Sequence, residues 1–118
     1  NGLAAAQEQL ALMYDTGQNI TQNYEEALYW YKKAAAQGRG KSQYNLALLY
    51  EQGKGVTPNA VAAYIWFDMA IYKEVPNALE SRSRITQLLS QSDLKRAMNM
   101  AAECKASDYK NCGNDSLN

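Results

Sequence analysis

The feature that most constrains this chain is an internal repeat of 36 residues. Shifted by 36 positions, twelve of the first 38 residues are identical to the residues they meet, without a gap. The identical pairs include Leu10/Leu46, Ala11/Ala47, Tyr14/Tyr50, Gly17/Gly53, Asn23/Asn59, Ala27/Ala63, Trp30/Trp66 and Ala34/Ala70. A unit this short cannot bury its own apolar face and must stack on its neighbours, so the repeat predicts a solenoid.

Each repeat unit is expected to hold two helices. Leu10, Ala11 and Tyr14 lie on one face at helical spacing, and Ala27, Trp30, Tyr31 and Ala34 do the same in the second half. The pattern predicts an all-α fold of about three antiparallel helix pairs. The expected helices run over about 3–15, 23–36, 41–51, 59–72, 76–89 and 92–105.

The stretch EQGKGVTP, residues 51–58, has two glycines and a lysine, which are residue types found in phosphate-binding loops. It follows a helix, however, and its copy DTGQNITQ lacks both the lysine and the second glycine. The two copies share positions suited to a turn: Gly17 and Gly53 to end a helix, and Asn23 and Asn59 to cap the next. We therefore interpret the stretch as a helix–helix turn.

The repeat also predicts how the chain is divided. Residues 1–2 match the end of a unit, 3–38 and 39–74 are the two clear units, 75–106 is a degenerate capping pair, and 107–118 is a turn and flexible tail. In the capping pair Ile85, Leu88 and Leu89 stripe the first helix, and Leu94, Ala97, Met98 and Ala101 stripe the second. Because Asn1-Gly2 resembles Gln37-Gly38, we expect a preceding unit, with any signal peptide, to be missing.

The composition argues against several function classes. Twelve basic side chains balance twelve acidic ones, so no basic excess indicates nucleic-acid binding. No apolar run approaches the ~20 residues of a membrane span, so no direct insertion is expected. The chain has no histidine, and no metal or cofactor site is predicted.

The repeated residues resemble the Sel1-like repeat, a relative of the tetratricopeptide repeat. That family's pattern is A-x-x-x-L-[GA]-x-x-Y-x-x-G-x-G-V, a spacer, then A-x-x-W-Y-x-K-A-A-x-x-G. The second unit matches it with Ser42, Leu46, Ala47, Tyr50, Gly53, Gly55, Val56, Ala63, Trp66, Phe67 and Ala70. The first unit departs at Asn19, where the family prefers glycine. The resemblance implies a right-handed solenoid that binds other proteins and is not an enzyme.

A narrower resemblance involves the run AAECKASDYKNCG, which is similar to the C-terminal part of the MotX family. These are periplasmic components of sodium-driven flagellar motors. This resemblance implies MotY and stator membrane proteins as partners, and a role in recruiting or holding stator units. The alternative is another exported Sel1 adaptor that binds cell-wall or host proteins.

Cys104 and Cys112 are the two cysteines of the chain. Eight residues of straight helix would hold them ~12 Å apart, beyond the about 4.4–6.8 Å between Cα atoms that a disulfide allows. A bond therefore requires the helix to end near Ser107 and the chain to turn back. We expect Cys104 and Cys112 to form this disulfide, which would indicate an oxidising compartment such as the periplasm, and the alternative is two free thiols in a cytosolic protein.

Two motifs raise the question of catalysis. Ser92 and Lys95 satisfy S-x-x-K, the nucleophile motif of penicillin-recognising hydrolases, but the companion motifs are missing. We interpret Ser92 as the N-cap of the last helix. Glu25 and Glu26 are adjacent acids that suit the first turn of a helix.

The likeness to repeat solenoids places the first helix of each unit on the concave face, where a partner would bind. The predicted binding strip consists of Glu8, Leu12, Asp15, Lys41, Tyr44, Leu48, Glu51, Arg84 and Gln87, with Thr16, Gln52 and Leu88 beside them. Leu12, Tyr44 and Leu48 are apolar where a solvated helix face is usually polar. An apolar centre ringed by charges suits a peptide or a helix.

Overall fold

The computed structural model describes residues 2–112. This range is helical without a strand, and its helices are α1 Gly2–Thr16, α2 Tyr24–Ala35, α3 Gly40–Gln52, α4 Ala60–Tyr72, α5 Ala78–Thr86 and α6 Gln91–Ala106. The predicted all-α fold is confirmed. Most predicted helix ends lie within one or two residues of the observed ones, and α5 is the exception.

The turns inside the two repeats have the same construction. In each, the backbone N–H of the capping asparagine donates at 2.9 Å to the carbonyl of the tyrosine that both repeats share, Asn23 to Tyr14 and Asn59 to Tyr50. Each asparagine side chain then accepts from the third helical residue, as predicted for an N-cap. Similar turn geometry gives the two helix pairs a similar shape, which lets them stack.

The core is centred on α4. In the first repeat α2 packs against α1 and α3, while α4 packs against α3, α5 and α6. Residues 61–70 of α4 are all buried, and Trp66, Phe67 and Met69 are among the largest fully buried side chains. A helix surrounded by three others needs apolar residues on every side, which explains the run VAAYIWFDMA.

The third helix pair departs from the prediction. Pro76 lies in a turn, Asn77 has a positive φ of 71°, and α5 starts only at Ala78 and ends at Thr86. Leu88 therefore falls outside the helix and is 68% exposed. The helices α5 and α6 each pack mainly on α4. As a result Met98, predicted to lie in the core stripe, is 53% exposed.

Candidate functional site

The glycine-rich stretch 51–58 serves packing between the units. Gly53 ends α3 in the left-handed conformation, and Gly55 also has a positive φ, 77°. A Cβ on Gly55 would lie 2.6 Å from the carbonyl oxygen of Tyr24. The Lys54 ammonium lies 5.1 Å from the centre of the Tyr24 ring. This stretch therefore seats the second repeat on the start of α2, which agrees with the turn interpretation.

In the first unit, the expected surface position of Glu8 is wrong. Its carboxylate is buried and accepts hydrogen bonds from Arg39 at 2.9 Å and Ser42 at 2.8 Å. Burial alone would raise the pKa of Glu8, but the hydrogen bonds from Arg39 and Ser42 and the charges of Arg39 and Lys41 lower it below the ordinary value. Glu8 thus joins α1 to the start of α3.

Two further residues of the predicted strip on α1 also contact other parts of the protein. Leu12 is half-buried against the core. Asp15 accepts a hydrogen bond from the Tyr31 hydroxyl at 2.9 Å. Burial and the Asp15 carboxylate raise the pKa of Tyr31, so its hydroxyl remains a donor.

The strip positions on α3 connect it to α5. The Tyr44 hydroxyl lies 3.3 Å from that of Ser81, and its ring packs edge-on against Phe67. Glu51 and Arg84 form a two-point ion pair with N–O distances of 2.6 and 2.7 Å. Leu48 is half-buried against the core.

Lys41, Gln87 and Arg84 are the exposed members of the predicted strip. Glu8 links α1 to α3, and Tyr44 and Glu51 link α3 to α5, whereas Asp15 accepts its hydrogen bond from α2. The first helices of the successive units therefore share one face, with charged side chains at its surface and apolar side chains half-buried beneath.

A cleft of about 200 Å³ between α4, α5 and α6 was not predicted. Its lining residues are Tyr64, Asp68, Tyr72, Arg82, Met98 and Ala102. Asp68 is buried and forms an ion pair with Arg82, which also lines the cleft. The sequence signal for this cleft is the i, i+4, i+8 spacing of Tyr64, Asp68 and Tyr72, which replaces the Leu, Lys and Ala of the first repeat.

The C-terminal turn is closed by a disulfide between Cys104 and Cys112, whose Cα atoms are 4.2 Å apart. As predicted, α6 ends before Ser107 and the chain turns back, with positive φ at Asp108 and Tyr109. The Tyr109 ring lies beside Gly38 and under the Lys73 ammonium. The predicted tail beyond Cys112 lies outside the described residues.

Ser92 is not the N-cap of α6. That role belongs to Ser90, whose hydroxyl accepts from the Asp93 backbone N–H at 3.1 Å. The Ser92 hydroxyl lies 3.3 Å from that of Ser90. Among the hydrogen bonds of residues 2–112, none joins Ser92 to Lys95, so the pairing that would activate a nucleophile is not formed.

Within residues 2–112 no group of His, Cys, Asp or Glu side chains is arranged to hold a metal ion. No helix in that same range is long and apolar enough to cross a bilayer.

Comparison with known proteins places the repeats in a family. The Sel1 repeat family model matches residues 4–38 and 40–74. A search of curated proteins finds no match.

Two solved structures have a similar fold. One is a protective antigen present in uropathogenic Escherichia coli strains and described as displaying an SLR fold, with a TM-score of 0.83 and 26% identity over 90% of this chain. The other is a Sel1 repeat protein from Oxalobacter formigenes, with a TM-score of 0.67 and 38% identity over 70% of this chain. The matches span 24% and 34% of those two proteins. With a family model that matches both helix pairs of the repeat, the chain belongs to the Sel1 repeat family.

Proposed function

We propose that this chain is a non-catalytic scaffold of the bacterial envelope that binds another protein. The observation that carries the proposal is the shared face of α1, α3 and α5. Sel1 repeats are protein-interaction modules, and here successive first helices are joined by hydrogen bonds of buried or half-buried side chains. A face held in this way is pre-organised, so a partner would lose little free energy in ordering it.

The chemistry of the face fits a peptide or helix of mixed character. Lys41 and Arg84 offer positive charge and Gln87 an amide, while Leu12 and Leu48 supply apolar surface at half-buried positions. Polar contacts at the rim would orient the partner, and apolar contacts at the centre would supply affinity.

The envelope location rests on the disulfide. Bonds of this kind persist in oxidising compartments and are rare in the cytosol. The pairing of Cys104 with Cys112 supports export to the periplasm or beyond.

Two finer proposals follow from different observations. A MotX-like motor component, working with MotY to hold stator units, is supported by the C-terminal run with its cysteine pair. An exported adaptor that meets host proteins is supported by the likeness to the protective antigen of uropathogenic strains.

Site-specific photo-crosslinking tests the proposal. A photoreactive residue would replace Lys41 or Gln87 on the shared face, or Tyr29 as a control on α2, where the side chain is also exposed. We expect the oxidised chain, mixed with solubilised Gram-negative envelopes, to form one defined protein adduct from Lys41 and Gln87 only.

The identity of the adduct would separate the finer proposals. MotY or a stator protein would support the motor component, and a cell-wall or host protein the adaptor. Equal adducts from Tyr29 would contradict the shared face as the binding site. A mass adduct of penicillin on Ser92 would contradict the non-catalytic reading.

A further inference from the structure

We propose that the cleft between α4, α5 and α6 is a second binding site, which takes an acidic segment of a partner protein. One apolar side chain of that segment would enter the cleft, and carboxylates on either side of it would pair with Lys95 and Lys105. This site is distinct from the shared face of the first helices and does not depend on it.

The apolar part of the site is unusual for a surface helix. Met98 is 53% exposed on α6, and Tyr72 is equally exposed on the facing end of α4. Methionine adapts its shape to the group it meets and packs well against aromatic rings. A cleft of about 200 Å³ has room for one large side chain, which defines the size of the anchor.

The charges around the cleft favour an acidic partner. Lys95, Met98, Ala102 and Lys105 follow one another at three- and four-residue steps on α6, so the apolar pair lies between two lysines. A separation of ten residues places their Cα atoms about 15 Å apart along the helix. Within residues 2–112 neither lysine forms an ion pair with an acidic side chain.

Of the acidic side chains near the cleft, Asp68 has a cationic partner and Glu103 has a neutral one. Asp68 is neutralised by Arg82, whose guanidinium also lies 5.8 Å from the centre of the Tyr64 ring. The Glu103 carboxylate accepts from the Asn111 side chain in the C-terminal turn. Lys105 lies only 3.4 Å from the Tyr72 ring centre, which holds its charge at the edge of the cleft. Glu103 keeps its negative charge, because the amide that contacts it is neutral, but α6 has three basic and two acidic side chains and so retains a net positive charge.

The test is a titration of the isotope-labelled oxidised chain with short synthetic peptides, followed by NMR. The probe peptide has a central leucine with glutamates on both sides. One control peptide carries lysines in place of the glutamates, and another carries alanine in place of the leucine. We expect saturable shifts at Tyr64, Tyr72, Met98 and Ala102 with the first peptide and much weaker binding of both controls.

Charge-reversal variants sharpen the test. Lys95→Glu/Lys105→Glu should weaken binding by about tenfold, because two exposed attractions become repulsions. The matched variant Lys33→Glu/Lys54→Glu changes the net charge equally at two exposed lysines outside both proposed sites, and it should change the affinity less than about twofold. Met98→Ala removes the apolar wall at an exposed position and should weaken binding without a change in charge.

Several results would overturn the site. Equal binding of the lysine-flanked peptide would show that the lysines select nothing. Shifts confined to α1 and α3 would assign the peptide to the shared face instead, and no shift at millimolar peptide would remove the site. If the photo-crosslinks from Lys41 and Gln87 fail while this titration succeeds, the scaffold's proposed face is wrong and the cleft remains.

Discussion

The two repeats share a sequence pattern but differ in how deeply they are buried. Tyr50 and Trp66 in the second repeat are almost completely buried, whereas their equivalents Tyr14 and Trp30 in the first are half-buried. The difference is greatest in the second helix, where Tyr29 is 51% exposed and its equivalent Ile65 is fully buried. The repeat motif therefore determines the shape of each helix pair, and the neighbouring helices determine how much of it is core.

The same comparison explains why the two tryptophans differ in hydrogen bonding. Trp30 donates its indole N–H to Glu26 one turn earlier, at 3.3 Å. In the second repeat Ala62 occupies the equivalent position, and the Trp66 N–H has no hydrogen-bond partner in the part of the chain that is described. An alanine fits the packed surroundings of α4 better than a glutamate, at the expense of an unsatisfied donor.

Paired tryptophan truncations should break this comparison most visibly. Trp66→Ala removes a fully buried ring and should cost about 3–5 kcal/mol of unfolding free energy, while Trp30→Ala should cost roughly half as much. Urea denaturation followed by circular dichroism measures both. Equal losses of unfolding free energy would mean that the difference in burial between the two tryptophans does not affect stability.

Removing the disulfide tests whether α6 keeps α4 covered. Cys104→Ser/Cys112→Ser opens a short loop and should cost about 2.5 kcal/mol in the chain-entropy model. Hydrogen exchange should rise more in α4 than in α2, because α6 packs on α4. Uniform acceleration across both helices would argue against a local effect, and reduction of the wild-type chain should reproduce the pattern.

The two turns offer a reciprocal exchange. Asparagine tolerates positive φ, so Gly55→Asn tests chiefly the close contact with Tyr24, and we expect a loss of about 2 kcal/mol. Asn19→Gly, the reverse change in the first repeat, should stay within about 0.5 kcal/mol. Thermal unfolding of the two variants compares them, and similar shifts would mean that the contact with Tyr24 is unimportant.

The smallest expected effect is on the pH dependence of stability in acid. Because the pKa of Glu8 is lowered on folding, its stabilising contribution is present above the ordinary value of 4.5 and is lost as the pH falls through the lowered value. Glu8→Gln should remove about 1 kcal/mol at neutral pH, a modest figure since Arg39 is partly exposed. The variant's unfolding free energy should then vary less with pH below 4.5 than that of the wild type. An unchanged acid profile would contradict this role.

The sequence was informative wherever the repeat applied. The helix pairs, the capping asparagines and the turn around Gly53 all follow from local spacing that recurs after 36 residues. The cysteine spacing also predicted where α6 ends, because the two thiols can pair only if the chain reverses near Ser107.

The surface residues were harder to predict, since burial depends on neighbours that one unit's pattern does not contain. Glu8 is of a residue type usually found at solvated positions, yet Ser42 of the next unit covers it. Met98 has the spacing of a core residue, but α6 turns Ala97, Ala101 and Cys104 toward the core instead. The cleft involves three helices, so the spacing of Tyr64, Asp68 and Tyr72 could indicate only the wall that α4 contributes.

The side-chain links between first helices also have a mechanical consequence. Three side-chain pairs connect the first helices along one edge of the stack: Glu8 with Ser42, Tyr44 with Ser81, and Glu51 with Arg84. A load that bends the solenoid open on this edge must stretch short hydrogen bonds, whereas bending the other way compresses them. We therefore expect the solenoid to resist bending more strongly in one direction than in the other. It should open first between helices that none of these three links joins.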